Sequence, residues 1–184
     1  LYAISTGANS TSIAGIASTV PPPPGPVLPT SYSAWCYLGG IPYTSASTTM
    51  TACYLAGAQT RIKTPVQDFN MLNGGNATTA TQVGISSGVP PNALRFEALT
   101  AQVQSTASAG TLLETLFGVE ATMNSTSYTH VLQMYAQVVS VTNINGLLPV
   151  SFPNLSRTLY YQNSSTAVSA YAYLAGFTNP NGDA

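Results

Sequence analysis

The sequence predicts an all-β fold for most of its 184 residues. Short runs rich in Tyr, Val, Leu, Ile and Thr recur through residues 30–184, and Gly, Pro and Asn cluster between them. Hydrophobic residues make up 45% of the chain, which is enough to form a buried core. Charged residues make up only 5%, so the polar surface must be largely neutral, and Ser and Thr provide 44 of the 184 residues.

The first 20 residues predict one extended strand. Apolar side chains fall mainly on even positions, as in Tyr2 and Ile4, with Ile13 as the exception. A helical alternative survives for residues 13–20, but Gly7, Gly15 and the many Ser and Thr residues disfavour it. The apolar side chains of the predicted strand are Tyr2, Ile4, Ala8, Ile13, Ile16 and Val20.

Residues 21–29, PPPPGPVLP, predict a stiff linker. Such a segment favours polyproline II and spans about 28 Å without internal hydrogen bonds. We expect it to separate the N-terminal strand from the rest of the chain. A lone strand needs partners for its backbone groups, and an open sheet edge on another molecule would supply them. Repeated head to tail, that contact builds a filament. The alternative is a disordered tail rich in Ser and Thr.

Residues 30–184 predict an immunoglobulin-like β-sandwich, because short strand-like runs alternate with turn signals. The segment 94–117 could instead include a helix, since Ala, Leu and Gln are frequent there. The predicted turns include Asn73-Gly74-Gly75, Asn145-Gly146 and Phe152-Pro153-Asn154. The predicted strands lie near residues 32–38, 51–57, 82–86, 94–104, 111–121, 128–142, 157–162 and 166–177.

The scarcity of ionisable groups argues against several functions. A net charge of −1 with four cations disfavours binding to nucleic acid, and no long apolar window predicts a membrane span. One His, one Lys and two Cys offer little for acid–base or metal chemistry. His130 lies in a strand-like run, and Glu114 and Glu120 have no shared face in a helix or a strand. We therefore expect no enzyme activity and no metal or cofactor.

Two further features are typical of secreted proteins. Cys36 and Cys53 are separated by 16 residues and are expected to form a disulfide, the alternative being two buried thiols. The chain starts at Leu1, which leads us to expect that a leader has been removed. N-linked glycans would hydrate a surface with so little charge. The candidate glycosylation sites, each in an Asn-x-Ser/Thr sequence, are Asn9, Asn76, Asn124, Asn154 and Asn163.

Taken together, these features resemble the subunit of archaeal threads, the thin surface filaments of Sulfolobales. The resemblance covers the whole chain but rests on architecture and composition. It implies an N-terminal donor strand, residues 1–20, that completes the β-sandwich of the next subunit, a linker at 21–29 and a sandwich at 30–184. It also implies an extracellular homopolymer with N-glycans on its outside, which supports adhesion and biofilm formation. Ile13 and Gly15 depart from a regular donor pattern.

Two other classes remain open from the sequence. A secreted carbohydrate-binding or viral surface module would use exposed Tyr residues and Trp35 as a stacking platform. An acid-active hydrolase would need two carboxylates in one cleft. The five available carboxylates belong to Asp68, Glu97, Glu114, Glu120 and Asp183.

Overall fold

The structure is a computed structural model, and it describes residues 1–7, 11–20, 24–41, 52–56, 58–63, 65, 69–86, 88–104, 112–123, 130–137, 143–154 and 157–180. Within these ranges the chain forms thirteen strands, and every strand pair is antiparallel. The first six are β1 (Tyr2–Ser5), β2 (Ile13–Ile16), β3 (Ala34–Tyr37), β4 (Cys53–Ala56), β5 (Gln59–Ile62) and β6 (Asn70–Gly75). The others are β7 (Thr81–Gly84), β8 (Arg95–Gln104), β9 (Leu112–Gly118), β10 (His130–Gln137), β11 (Asn143–Pro153), β12 (Thr158–Asn163) and β13 (Val168–Thr178). The all-β prediction is confirmed.

The strands form three sheets. The first, which we name the N-terminal sheet, has the order β2-β1-β3. The other two contain β4 to β13 and together form what we name the two-sheet domain. One has four strands in the order β10-β9-β12-β7. The second has six, in the order β11-β8-β13-β5-β4, with β6 also paired to β13.

Strand β13 organises the six-stranded sheet. It pairs with β8 along its whole length on one side, and with β6 and then β5 on the other. Its sequence VSAYAYLAGFT alternates buried with half-buried positions, because successive side chains of a strand point to opposite faces. The inward face carries Val168, Ala170, Ala172 and Leu174, each fully buried.

The two sheets of the domain share one hydrophobic core. Phe117 and Leu159 from the four-stranded sheet join Phe96 and Leu174 from the six-stranded sheet in a single buried cluster. Phe96 stacks on Phe152 with ring centroids 5.2 Å apart. Two antiparallel sheets that meet over a common core are consistent with a β-sandwich.

All eight predicted strand-like runs contain strands, and the segment 94–117 contains β8 and the larger part of β9 rather than a helix. The predicted turns at Asn73-Gly74-Gly75 and Asn145-Gly146 are wrong, because both lie inside strands. Gly74 adopts a φ of 71° within β6, and the β11–β8 register shifts between Asn145 and Leu148. Glycine permits such irregularities inside a strand, so its presence alone does not end one.

Candidate functional site

The N-terminal sheet is the candidate functional site, because the predicted donor segment lies there. Strand β1 is central, with Tyr2 opposite Ile16 of β2 and opposite Tyr37 of β3. Tyr2 and Ile4 are 1% and 3% exposed and pack with Tyr37 in a small cluster of their own. The residues packed around this cluster are Ala14, Ile16, Leu28 and Tyr32.

This arrangement corrects the prediction of a single strand over residues 1–20. The chain reverses between β1 and β2, so the segment is a hairpin, and its partner is β3 of the same molecule. The even-position pattern survives the reversal, since pairing Tyr2 with Ile16 puts even residues of both strands on one face. Among the other predicted donor residues, Ile13 is 72% exposed, Val20 is 39% exposed, and Ala8 lies outside the described residues.

Tyr2 fixes the hairpin by three contacts. Its ring meets that of Trp35 edge to face at a centroid distance of 5.4 Å, and lies 5.2 Å from the ring of Tyr37. Its hydroxyl donates a hydrogen bond of 2.5 Å to the carbonyl of Val20. Burial raises the pKa of Tyr2, and the neighbouring Tyr37 raises it further. The phenol is thus held neutral in a mainly apolar site beside Trp35 and Tyr37.

The described part of the linker, residues 24–29, folds back instead of acting as a spacer, which corrects a second prediction; residues 21–23 lie outside the described residues. The linker connects β2 to β3, which flank β1 on opposite sides, so it must cross the sheet. Gly25 and Pro26 are buried, and Leu28 packs on the cluster. Gly25 has a φ of 90°, and a Cβ added there would lie 2.5 Å from Cζ2 of Trp35. Only glycine fits this position, because it tolerates positive φ and leaves room for the indole.

A buried hydrogen-bond network joins the N-terminal sheet to the two-sheet domain. Asn179, which follows β13 and is 2% exposed, accepts bonds on Oδ1 from the Tyr37 hydroxyl (3.2 Å) and the Gly40 N–H (3.1 Å). Its Nδ2 donates to the carbonyl of Ala58 and to Oγ1 of Thr60. Thr60 in turn donates to the carbonyl of Gly40 at 2.9 Å. We name this network the Asn179 latch, and nothing in the sequence pattern distinguished Asn179 from the other eleven Asn residues.

The cysteines do not form the predicted disulfide. Both are free thiols, and they belong to the two sheets that the Asn179 latch joins. Cys36 is exposed in β3 of the N-terminal sheet, whereas Cys53 is half-buried at the start of β4 in the six-stranded sheet. Burial raises the pKa of the Cys53 thiol. Sequence separation alone did not reveal that the two residues belong to different sheets.

The predicted glycosylation sites differ in how accessible they are. Asn76 is exposed between β6 and β7. Asn163 is 1% exposed, and its Nδ2 donates to the carbonyls of Gly75 and Val168, so a glycan on that nitrogen is incompatible with the fold. Asn154 also uses its Nδ2, in a 2.7 Å bond to the carbonyl of Ala93. Asn9 and Asn124 lie outside the described residues.

Two of the residues considered for catalysis, Glu114 and His130, lie in the paired strands β9 and β10. The carboxylate of Glu114, in β9, accepts a hydrogen bond from Gln133 of the neighbouring strand β10. His130 begins β10, opposite Gly118. Asp68 and Asp183 lie outside the described residues. In the part of the chain that the structure describes, no three His, Cys, Asp or Glu side chains come together as a metal site, and no helix is long and apolar enough to cross a membrane.

Trp35, expected to contribute to the aromatic platform of a carbohydrate-binding module, is 39% exposed, and part of its ring contacts Tyr2 and Gly25. The exposed tyrosines Tyr54 and Tyr135 belong to different sheets, β4 and β10. Comparison of the chain with protein-family models and with curated proteins finds no match.

Proposed function

We propose that the protein is a structural subunit of an extracellular cell-surface filament, which polymerises through its N-terminal segment and supports adhesion and biofilm formation. One observation carries this proposal. The buried cluster of Tyr2, Ile4 and Tyr37 is separate from the core of the two-sheet domain, so residues 1–20 can leave without opening that core. A segment with its own small binding site is the type of element that copies exchange.

In this proposal the acceptor for the donor segment is β3. Pairing of β1 with β3 fixes Tyr2 against Tyr37 and Ile4 against Trp35, and the same register can form between two copies. Burying these two side chains contributes about 1.5 to 3 kcal/mol each, wherever β3 comes from. Donation of β1 to another copy would therefore form the same contacts as closure within one copy. It would require only that the linker extend to the next molecule. The two-sheet domain, immunoglobulin-like in this proposal, then forms the body of each subunit.

The linker decides between closure and exchange. Closing the N-terminal sheet within one copy requires the positive φ at Gly25 and the passage of its backbone against Trp35. Proline residues on both sides stiffen this crossing. An extended linker would not need this conformation and would carry β1 to a neighbour. Because donor and acceptor are different surfaces, the contact repeats head to tail.

The surface chemistry supports an exterior location. The chain carries nine charged residues in 184, and the exposed Asn76 offers a glycosylation site on the two-sheet domain. Glycans on that domain would leave β1 and β3 unobstructed, since neither strand contains a sequon. The proposal includes no cofactor and no nucleic acid.

Electron microscopy of the purified chain, before and after removal of residues 1–20, tests the assembly. We expect filaments from the full chain and monomers from the truncated one. A peptide of residues 1–20 added to the truncated chain should form a one-to-one complex with it and no filaments. Monodisperse full-length protein that never assembles would contradict the proposal.

Substitution of Gly25 gives a sharper test. Gly25→Ala opposes closure within one copy but leaves β1 and β3 unchanged, so it should increase the polymer fraction at equal concentration. Gly84→Ala is the matched control, because nothing lies within 4 Å of the added Cβ there. Equal polymer fractions for the two variants would show that linker closure does not control assembly.

The alternative function is a secreted carbohydrate-binding or viral surface module. The exposed Tyr54, at 60%, favours it as an aromatic contact for a sugar on β4. A monomer that binds saccharides, and loses binding on Tyr54→Ala, would support this function instead.

A further inference from the structure

A cavity of about 560 Å³ lies between the N-terminal sheet and the two-sheet domain. Tyr2, Val20 and Tyr37 line one side, and Val89 and Pro90 line the other. Its size is within the range of small-molecule sites, about 300 to 1,000 Å³, and its walls are mainly apolar. Asn92 and Arg157 also line it, together with Ser18, Thr19, Ser86 and the N-terminal Leu1.

The Asn92 amide has unused hydrogen-bonding capacity. Both Oδ1 and Nδ2 are buried, and neither makes a hydrogen bond of normal distance and angle. The amide still acts on the Tyr37 hydroxyl as a weak hydrogen-bond partner and lowers the Tyr37 pKa, against the larger upward effect of burial. Leaving a buried amide unbonded costs free energy. A ligand with an acceptor would recover the part of that free energy that belongs to Nδ2.

Arg157 places a cation at the same cavity. Its Nε donates to the carbonyl of Val89 at 2.9 Å, and its Nη2 donates to the carbonyl of Ser86. These bonds hold the guanidinium against the loop that forms the cavity wall and leave further N–H donors for another acceptor. Its φ of 53° is uncommon for a residue other than glycine, and such strain is concentrated at binding and catalytic sites. Arg157 forms no ion pair with any described residue.

We infer that this cavity binds a small monocarboxylic acid with an apolar body. The carboxylate would meet Arg157, since a guanidinium binds a carboxylate through paired, charge-assisted hydrogen bonds. Asn92 would donate its Nδ2 to the same head group, and the apolar body would pack on Val89, Pro90 and Val20. This inference concerns the closed single copy, in which residues 1–20 supply one wall of the cavity.

Binding of octanoate and its neutral analogue octanamide to the full chain, measured by ligand-observed NMR and calorimetry, tests the site. We expect octanoate to bind at least tenfold more tightly than octanamide. Arg157→Gln should remove most of this preference, a loss of about tenfold to a hundredfold for a hydrogen bond to a charged group. Arg95→Gln is the matched control, because Arg95 is an exposed cation that bonds Ser151 away from the cavity.

Two further variants keep the test decisive if Arg157→Gln fails to fold. Arg157→Lys keeps the charge but not the planar donor pair, so it should weaken octanoate binding while retaining some preference for the acid. Asn92→Leu should weaken octanoate and octanamide alike. Absence of octanoate binding to the wild-type chain, or an unchanged preference in both Arg157 variants, would overturn the inference.

Discussion

The N-terminal sheet and the two-sheet domain both consist of antiparallel strands that bury apolar side chains, but they differ greatly in strand length and core size. The N-terminal sheet has strands of four residues, whereas β11 and β13 have eleven residues each. Among the described residues, the N-terminal cluster has three buried side chains and the larger core has seventeen. The smaller region is therefore expected to open first. Trp35, the single Trp of the chain, lies in that region, so its fluorescence separates the two.

The largest effect is expected from Leu174→Ala in the two-sheet domain. The side chain of Leu174 is completely buried, with 0% accessible surface. Truncation of such a side chain lowers the free energy of unfolding by about 2 to 5 kcal/mol. Circular dichroism and Trp35 fluorescence should both melt at lower temperature, because the latch on Asn179 directly follows β13. Leu112→Ala is the control, since Leu112 is 60% exposed. Equal losses in the two variants would contradict the assigned core.

A smaller, local effect is expected from Ile4→Ala. The substitution removes one of three side chains at the centre of the N-terminal cluster and should cost about 2 kcal/mol there. Trp35 fluorescence should then change at lower temperature than circular dichroism, which follows the larger domain. Ile13→Ala provides a control on the same sheet, because Ile13 is 72% exposed. If both signals shift together, the two regions unfold as one unit and the comparison fails.

The difference between the regions also explains how far sequence reasoning reached. Strands such as β8 and β13 were predicted because they lie in runs rich in strand-forming residues between turn signals, although a helix was left open over 94–117. In the N-terminal region the even-position pattern found Tyr2 and Ile4, yet it could not reveal the reversal, because a hairpin in this register keeps the same parity.

The linker and the latch were missed for physical reasons. Polyproline predicts local stiffness, but one glycine with positive φ is enough to redirect the chain, and its conformation is set by contact with Trp35. Asn179 acts through partners more than 100 residues away, such as Tyr37, and such contacts leave no local pattern. Strand β11 was missed because Asn145-Gly146 and Phe152-Pro153-Asn154 suggested turns, although glycine and proline are tolerated in a strand at a sheet edge.

Removal of the latch should affect the junction of the two regions more than either core. Asn179→Ala leaves the Tyr37 hydroxyl and the Gly40 N–H without this acceptor, at a cost of about 1 to 3 kcal/mol. We expect faster hydrogen exchange at residues 34–40 with little change along β8. Asn73→Ala is the control, because Asn73 is exposed in β6. Unchanged exchange at residues 34–40 would show that the latch does not hold the sheet.

High pH should open the N-terminal sheet selectively. Burial raises the pKa of Tyr37 and of Tyr2 above the ordinary value of 10.0. Folding therefore favours the neutral phenols, so their contribution to stability is complete below pH 10 and is lost as the pH rises through the folded-state pKa. Trp35 fluorescence should report opening above about pH 10 while circular dichroism still shows a folded domain.

The alkaline measurement needs two controls. The Cys53 thiol also has a raised pKa, so the titration should be made in a Cys53→Ser background. Tyr37→Phe should move the Trp35 transition to higher pH, whereas Tyr54→Phe, at an exposed position, should leave it in place. If Tyr37→Phe leaves the midpoint pH of the transition unchanged, another group controls the alkaline opening.

The smallest effect on stability is expected at Asn76. Because this side chain is exposed, Asn76→Gln should change the free energy of unfolding by no more than about 0.5 kcal/mol.

Peptide mapping by mass spectrometry of native material should find a glycan on Asn76 and none on Asn163, whose amide nitrogen is bonded to two carbonyls in the core. Asn163→Ala should instead destabilise the larger domain, since Thr115 also donates to its Oδ1 at 2.8 Å. A glycan found on Asn163 would mean that β12 does not pack against β9 as described, because the sugar and the two-sheet core cannot occupy the same space.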